Sequence, residues 1–291
     1  MKKITFLLVL FLVVALSACG DSDEDKEEKG SKDATEAKID DKVWNDIQES
    51  GELVVGTPGT LFPASYYPED SDELTGYDVE IAKEISQRLG LNVTFEVMGF
   101  DAMLTALNTG RVDIILAGPR EESKKKFAFS EPVKYSYSTM IVRSEDLSGI
   151  ETLEDLKGKK AGGAATTVYS DIARKFDAEV ITYGNVTNDA YLRDVENGRT
   201  DLVINDYYLQ SLALSAFPDL NIELHPDLKF HPTTNNVVVD KDADTLLKKV
   251  NQVIDEMRED GTLTEKSVEF FGGQDVSVKP EDEIIEIEGI E

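Results

Sequence analysis

Strand-like and helix-like segments alternate twice along this 291-residue chain, and this alternation limits the fold more than any other feature. Apolar strands that alternate with amphipathic helices form parallel sheets with helices on both faces. The first series, from strand to strand, covers residues 52–57, 77–90, 92–98, 101–110 and 112–118. The second covers residues 157–165, 166–176, 178–183, 187–198, 199–206 and 207–217. The sequence therefore predicts an α/β protein.

A short repeat indicates two lobes of one design. NTGRVDII at residues 108–115 is matched by ENGRTDLV at residues 196–203. A helix, an Asn-Gly turn and a buried strand also recur in any α/β protein, and this pair alone favours neither explanation. The chain then returns to the first lobe through a predicted strand at residues 235–240 and a helix at 242–261, whose apolar stripe is predicted to be core.

Composition excludes one class of partner. The chain carries 58 acidic and 30 basic residues, a net charge of −28, which repels nucleic acid phosphates and anionic lipid head groups. Its hydrophobic content of 41% is enough for two ordinary cores. We therefore expect a protein with two cores that binds no nucleic acid.

The N-terminal residues have the order of an export signal. Lys2 and Lys3 precede an apolar run, and LSAC follows, so residues 1–18 are predicted to be a signal peptide. LSAC resembles the lipobox of bacterial lipoproteins, which implies lipidation of Cys19; the alternative is a chance cysteine after an ordinary signal. Residues 19–42 are predicted to be the lipidated cysteine and a disordered acidic tether. Residues 275–291 form an acidic tail without an assigned function.

Two opposite charges follow buried strands at corresponding places. Arg120 follows one strand and Asp206 ends another, and in α/β sheets ligands bind beyond the carboxyl ends of strands. An arginine donates two parallel hydrogen bonds to a carboxylate, and an acidic side chain accepts hydrogen bonds from an ammonium, so the pair suits a zwitterion. Alternatively, Asp206 caps the next helix and Arg120 is a solvated loop residue. For Asp206 both descriptions can hold.

Four more residues complete the predicted site. Thr166 and Thr167 lie at a strand-to-helix turn, where free N–H groups attract a carboxylate. The turn lacks the ending of a phosphate loop, which argues against nucleotide binding. Phe62 and Phe100 follow strands of the first lobe and are candidates to enclose the apolar part of a ligand, although aromatic residues are more often core.

Six motifs together resemble the extracytoplasmic solute-binding proteins of polar amino-acid ABC importers, in particular lipoprotein members from Bacillus-like bacteria. They are GTPGTLFPASYYPEDSDELTGYDVEIAKEISQRLG, ALNTGRVDIILAG, KKFAFSEPV, LEDLKGKKAGGAATT, NGRTDLVIND and EMREDGTLTEKSVEFFG, between residues 44 and 274. The resemblance implies a two-lobe clamp of the periplasmic-binding-protein type, each lobe a mostly parallel sheet flanked by helices. It implies lobe 1 at residues 43–137 and 236–274 and lobe 2 at 138–235, joined by two hinge strands that cross near Ser136–Thr139 and His231–Asn235.

The resemblance also implies roles for residues. Phe100 matches the stacking aromatic, Gly118 the glycine whose backbone faces the ligand, Thr167 the carboxylate-binding turn, and Asp206 the acid that holds the α-ammonium. Leu61 occupies the usual first aromatic position, with Phe62 beside it as a substitute. The family's carboxylate-binding arginine falls at Ser123, where this chain has none. Arg120 is the candidate replacement; otherwise Thr167 and backbone amides hold the carboxylate, or the ligand is not an ordinary α-amino acid.

The resemblance finally implies a function. The protein is expected to be a lipid-anchored, extracellular, monomeric binding subunit without cofactor or metal, which delivers a polar or sulfur-containing amino acid to a membrane permease with a cytoplasmic ATPase. One alternative is a cyclic-acid dehydratase of the same fold, which needs an acid–base residue in the cleft. His225 and His231 are predicted to be structural instead. A second alternative is a sensing subunit for a receptor kinase.

Overall fold

The structure, a computed structural model, describes residues 42–281 and 283–290 of the chain. The predicted signal peptide, Cys19 and the predicted tether up to residue 41 lie outside these residues. Lys42 belongs to the first helix, α1, over residues 42–50. Within the described ranges, no helix combines the length and apolar content that a bilayer span requires.

The first lobe contains the strand–helix series that the sequence predicts. Strand β1 pairs in parallel with β4 on one side and β5 on the other. Helix α2 buries Val79, Ala82 and Ile85 on one face and is capped by Gly90, which adopts the left-handed φ of 73° that glycine tolerates. The elements are β1 (Glu52–Thr57), the short antiparallel pair β2 (Thr60–Leu61) and β3 (Ser65–Tyr66), α2 (Tyr77–Leu89), β4 (Asn92–Val97), α3 (Phe100–Asn108) and β5 (Ile114–Ala117).

Two long strands run from the first lobe into the second. After the short helix α4 (Glu121–Lys124), β6 spans Phe127–Arg143, and later in the chain β11 spans Phe230–Asp240. The two strands pair antiparallel, with Pro232 opposite Tyr137 and Thr233 opposite Ser136, within the segments where the crossings are predicted. The predicted lobe boundaries therefore fall inside β6 and β11. That the lobes turn about those points stays a prediction.

The second lobe surrounds the far end of β6. Strands β7 and β8 pair in parallel with each other. Strands β9 and β10 pair antiparallel with β6, so they run in the direction opposite to the strand that enters from the first lobe. The remaining elements are β7 (Lys160–Gly163), α5 (Val168–Lys175), β8 (Glu179–Thr182), α6 (Asn188–Glu196), β9 (Val203–Asp206), α7 (Tyr207–Ala216) and β10 (Ile222–Leu224), with two 3₁₀ turns at Leu147–Gly149 and Leu153–Leu156.

The chain returns to the first lobe through β11 and the last two helices, α8 (Asp244–Glu259) and α9 (Thr262–Phe270). The stripe predicted on α8 is core: Leu246, Val250 and Ile254 are buried in the same apolar cluster as Leu53 and other first-lobe residues, with Leu247 at its edge. A separate apolar cluster around Met140, Leu202 and Phe230 fills the second lobe. The architecture is a two-lobe α/β clamp with a core in each lobe.

Candidate functional site

A cleft of about 1180 Å³ lies between the two lobes. Its walls come from both lobes and from the hinge strands β6 and β11. Gly118, just past β5, and Asp206, at the end of β9, both line it, so the carboxyl ends of the two strands singled out in the sequence meet at one site. Pockets for small molecules typically measure about 300–1,000 Å³. The cleft is slightly larger than this range and lies where a ligand site is expected.

Asp206 is both a helix cap and a residue of the cleft. Its Oδ1 accepts a hydrogen bond of 3.0 Å from the Leu209 N–H at the start of α7. Its Oδ2 accepts a hydrogen bond from the ammonium of Lys134, on β6. The two side chains are 4% and 6% exposed, so this is a buried ion pair. The carboxylate predicted to face a ligand ammonium is paired with an ammonium of the protein itself.

A second carboxylate lies beside this pair. Asp78, in the first turn of α2, lines the cleft and its Oδ1 accepts a hydrogen bond of 2.8 Å from the Asn235 side chain. Burial raises the pKa of Asp78 from 3.8 to about 7, although Lys134 and Asn235 act in the opposite direction, and Asp206 adds to the rise. In the sequence, Asp78 is only the second residue of the helix predicted at 77–90. The site therefore contains one cation between two acids.

Arg120 faces another side chain of the protein across the cleft. Its guanidinium binds Asp171, on α5 of the second lobe, through Nε and through Nη2, the latter at 3.0 Å from Oδ1. Arg174 also contacts this carboxylate, at 3.2 Å. The bidentate bond predicted for a ligand carboxylate is thus made by Asp171, and Arg120 connects the lobes. Arg120 and Asp171 are 51 positions apart, and no local sequence pattern indicates that they form an ion pair.

Further polar contacts close the rim of the cleft. The Thr166 hydroxyl donates to Asp101 of the first lobe. Asn185 accepts a hydrogen bond of 2.9 Å from the Thr60 hydroxyl and donates one of 3.1 Å to the Pro58 carbonyl. The structure therefore describes the lobes in contact, which is the closed arrangement of a clamp.

Of the other predicted residues, some line the cleft and one does not. Thr167 lines the cleft and caps α5, where its hydroxyl accepts a bond of 3.2 Å from the Ser170 N–H. Phe100 lines the cleft at the start of α3. Leu61 does so as well, but its neighbour Phe62 is not among the lining residues; it is 36% exposed and packs edge-on against Tyr66, with 4.9 Å between ring centroids.

Gly118 lies where the first lobe approaches a hinge strand. A Cβ at this position would be 3.0 Å from the carbonyl oxygen of Thr234, closer than nearly all real contacts. A side chain here would require the Thr234 carbonyl to move by a few tenths of an ångström, so the close approach of the backbone after β5 to β11 favours glycine. This is a packing reason for glycine at a position that the resemblance assigns to ligand contact.

Neither histidine has the surroundings of a metal ligand. The His225 ring is buried, with Nε2 at 3.1 Å from the Ile150 carbonyl, and Nδ1 accepts a bond of 3.2 Å from the Leu228 N–H. His231 lines the cleft, and burial lowers its pKa. In the residues that the structure describes, no group of three His, Cys, Asp or Glu side chains is placed to hold a metal ion.

The sequence matches known proteins along nearly its full length. A family model for bacterial extracellular solute-binding proteins, family 3, matches residues 53–273. The chain is 49% identical to the probable ABC transporter extracellular-binding protein YckB of Bacillus subtilis, over 99% of this chain and 97% of YckB. It is 33% identical to the L-cystine-binding protein TcyA of the same species, over 95% of this chain and 100% of TcyA.

Solved structures share the fold. A crystal structure of YckB from Bacillus subtilis matches with a TM-score of 0.66 and 52% identity, over 84% of this chain and 99% of that one. A crystal structure of a mutant of ArgBP from T. maritima matches with a TM-score of 0.72 and 26% identity, over 79% of this chain and 99% of that one. The agreement supports the two-lobe architecture described above.

Proposed function

The chain belongs to the bacterial extracellular solute-binding proteins of family 3, and on that basis we propose that it holds an amino acid between its lobes for delivery to the membrane permease of an ABC importer. The chain is a solute-binding subunit and not an enzyme, since its close relatives are named as binding proteins. The relatives thus give no support to the dehydratase alternative.

The buried Lys134–Asp206 pair carries the proposal. A zwitterion that enters the cleft can place its ammonium on Asp206 and its carboxylate on Lys134, so each buried charge of the protein keeps an opposite partner. The first turn of α5, with Thr166 and Thr167, offers backbone N–H groups and the helix dipole for the same carboxylate. Phe100 and Gly118 are proposed to contact the rest of the ligand.

Arg120 is proposed to stabilise the closed state. Its two bonds to Asp171 join a loop of the first lobe to a helix of the second. A ligand bound to one lobe gains contacts with the other only on closure, so its higher affinity for the closed state drives the motion. In this scheme Lys134 binds the ligand carboxylate, the role that the resemblance gives to an arginine at the position of Ser123. Arg120 instead stabilises the contact between the lobes at the edge of the cleft.

The solute is proposed to be a polar or sulfur-containing amino acid, with L-cystine first among the candidates. TcyA, a relative at 33% identity, is named as an L-cystine-binding protein. Cystine carries two ammonium and two carboxylate groups and therefore needs more room than a single amino acid. The cleft, at about 1180 Å³, exceeds the usual range for small-molecule pockets of about 300–1,000 Å³.

The protein is proposed to act as a monomer anchored on the extracellular face of the membrane by lipid on Cys19. The family is extracellular, which agrees with the export signal read in the sequence. Two acyl chains anchor a protein stably, whereas one binds only marginally. Isolation of the partner separates import, with a permease, from sensing, with a receptor kinase.

A thermal-shift screen of the protein against amino acids tests the proposal. A solute at a hundred times its dissociation constant adds about 2.7 kcal/mol of stability, which raises the melting temperature of a protein of this size by roughly 5–11 °C. Asp206→Asn should abolish the shift, whereas the matched variant Asp244→Asn, an exposed acid at the start of α8, should keep it. An Asp206→Asn protein with the full shift would contradict the assigned role, and a panel without any hit would contradict the amino-acid class.

A further inference from the structure

The C-terminal segment, residues 276–281 and 283–290, lies beyond the part of the chain that the family model matches, which ends at residue 273. It leaves the last helix of the first lobe and ends on the second lobe. Its composition is that of an acidic tail, but some of its apolar residues are buried. Two of them, Val276 and Ile287, are buried in different lobes.

The first anchor of the segment is in the first lobe. Val276 is fully buried, within the apolar cluster that α2 and α8 share. Its carbonyl accepts a hydrogen bond of 2.8 Å from the Tyr135 N–H on β6. Just before it, the Ser267 hydroxyl of α9 donates a bond of 3.1 Å to the Gln274 carbonyl. This end of the segment is therefore fixed to the first lobe and to the start of the hinge.

The second anchor is in the second lobe. Ile285 forms a parallel bridge with Phe230: its N–H donates to the Lys229 carbonyl at 2.9 Å, and its carbonyl accepts from the His231 N–H at 2.8 Å. Ile287, 7% exposed, then joins the apolar cluster of the second lobe that contains Phe230. The segment thus pairs with the first residue of β11 through a single bridge and buries a side chain in the lobe beyond the hinge.

The stretch between the anchors runs beside the hinge and faces the cleft. Lys279 lies over the Tyr135 ring at 5.9 Å, and Lys279, Pro280, Ile284 and Glu286 are among the residues that line the cleft. Val278, in the same stretch, is 55% exposed and belongs to neither of the two apolar clusters.

We propose that the C-terminal segment is a third connection between the lobes, which restrains their opening and forms one wall of the cleft. Rotation about β6 and β11 must bend this segment or release one of its anchors, so the open state becomes less favourable. The inference rests on the proposed clamp motion but not on the identity of the solute.

Severing the connection after folding gives a direct test. In the full chain with Cys19→Ser, spin labels on cysteines at the exposed positions Gln87 and Glu154 report the distance between the lobes. A protease recognition site is inserted between Val278 and Lys279, and the uncut protein is the matched control. We expect the ligand-free distance distribution to broaden and move to longer values after cleavage. Identical distributions before and after cleavage would overturn the proposal.

A second pair of variants tests the anchor. Ile287→Asp should reproduce the broadened distribution of the cut protein because it releases the segment from the second-lobe core. Val278→Asp, which places the same residue at the exposed part of the segment, should match the wild type. If Ile287→Asp fails to fold, the cleavage result decides alone. Because these measurements need no ligand, a screen in which no amino acid binds would refute the proposed function and leave this inference standing.

Discussion

Replacing Lys134 by methionine should destabilise the protein strongly, because the substitution leaves the Asp206 carboxylate buried with only a backbone N–H as partner. Both side chains are nearly inaccessible, at 6% and 4% exposure. Removal of one partner from a buried pair typically costs about 3–5 kcal/mol. For a protein of this size, that corresponds to a fall in melting temperature of roughly 6–20 °C.

A double-mutant cycle separates the pair from the individual residues. Lys134→Met/Asp206→Asn removes both charges of the pair, so it should recover most of the lost stability, with a coupling of about 2 kcal/mol or more in urea unfolding. Lys42→Met, which breaks the exposed Lys42–Asp46 pair at 73% and 60% exposure, is the control and should change stability little. Single effects that add within about 0.5 kcal/mol would refute the assignment of a buried, coupled pair.

Three further predictions concern the cleft. Arg120→Ala removes the bonds to Asp171 and should weaken solute binding about tenfold, as titration calorimetry would measure. Burial raises the pKa of Asp78 to about 7, so the folded state binds this proton more tightly than the unfolded chain. The free energy of unfolding should therefore fall between about pH 4 and pH 7, and Asp78→Asn should remove about 2 kcal/mol of that fall, measured by urea unfolding. Gly118→Ala brings a methyl group to 3.0 Å from the Thr234 carbonyl and should cost about 1–3 kcal/mol, measured by thermal unfolding.

Each of these predictions has a contrary outcome. Unchanged affinity in Arg120→Ala would mean that the bond to Asp171 does not hold the clamp closed. Parallel stability curves for Asp78→Asn and the wild type would mean that this carboxyl is ordinary. An unchanged melting temperature in Gly118→Ala would mean that β11 can move aside.

The sequence predicts the strand–helix series well because local patterns determine it. The stripe on α8 and the stop at Gly90 are examples in which periodicity and glycine conformation suffice. The hinge strand β6 is harder to predict, since its 17 residues include Lys134, Ser136 and Ser138, and their alternation does not identify one buried face. Its full length is defined by its pairing with β11 and, in the second lobe, with β9 and β10.

The charge pairs of the site are harder to predict from the sequence than the fold. Position after a strand predicts Arg120 and Asp206 at one site, and both line the cleft, but which charges pair there depends on tertiary contacts. Lys134 lies two residues before the crossing that the resemblance implies and Asp171 lies within a predicted helix, so their partners cannot be read from the sequence. The isoleucines at the C-terminus, Ile285 and Ile287 among them, were an available signal that this acidic segment contacts the folded protein.

The return of β11 to the first lobe has a consequence for synthesis. Strand β5 pairs with β11, and Val237 and Val250 complete the first-lobe core, so the ribosome makes residues 138–235 before the first lobe can be completed. During this time the nascent chain has an unpaired strand edge at β5, the kind of surface on which incomplete domains aggregate. Most of the second-lobe core can form earlier than that of the first lobe, although Ile287 joins it only when the C-terminal residues have been made.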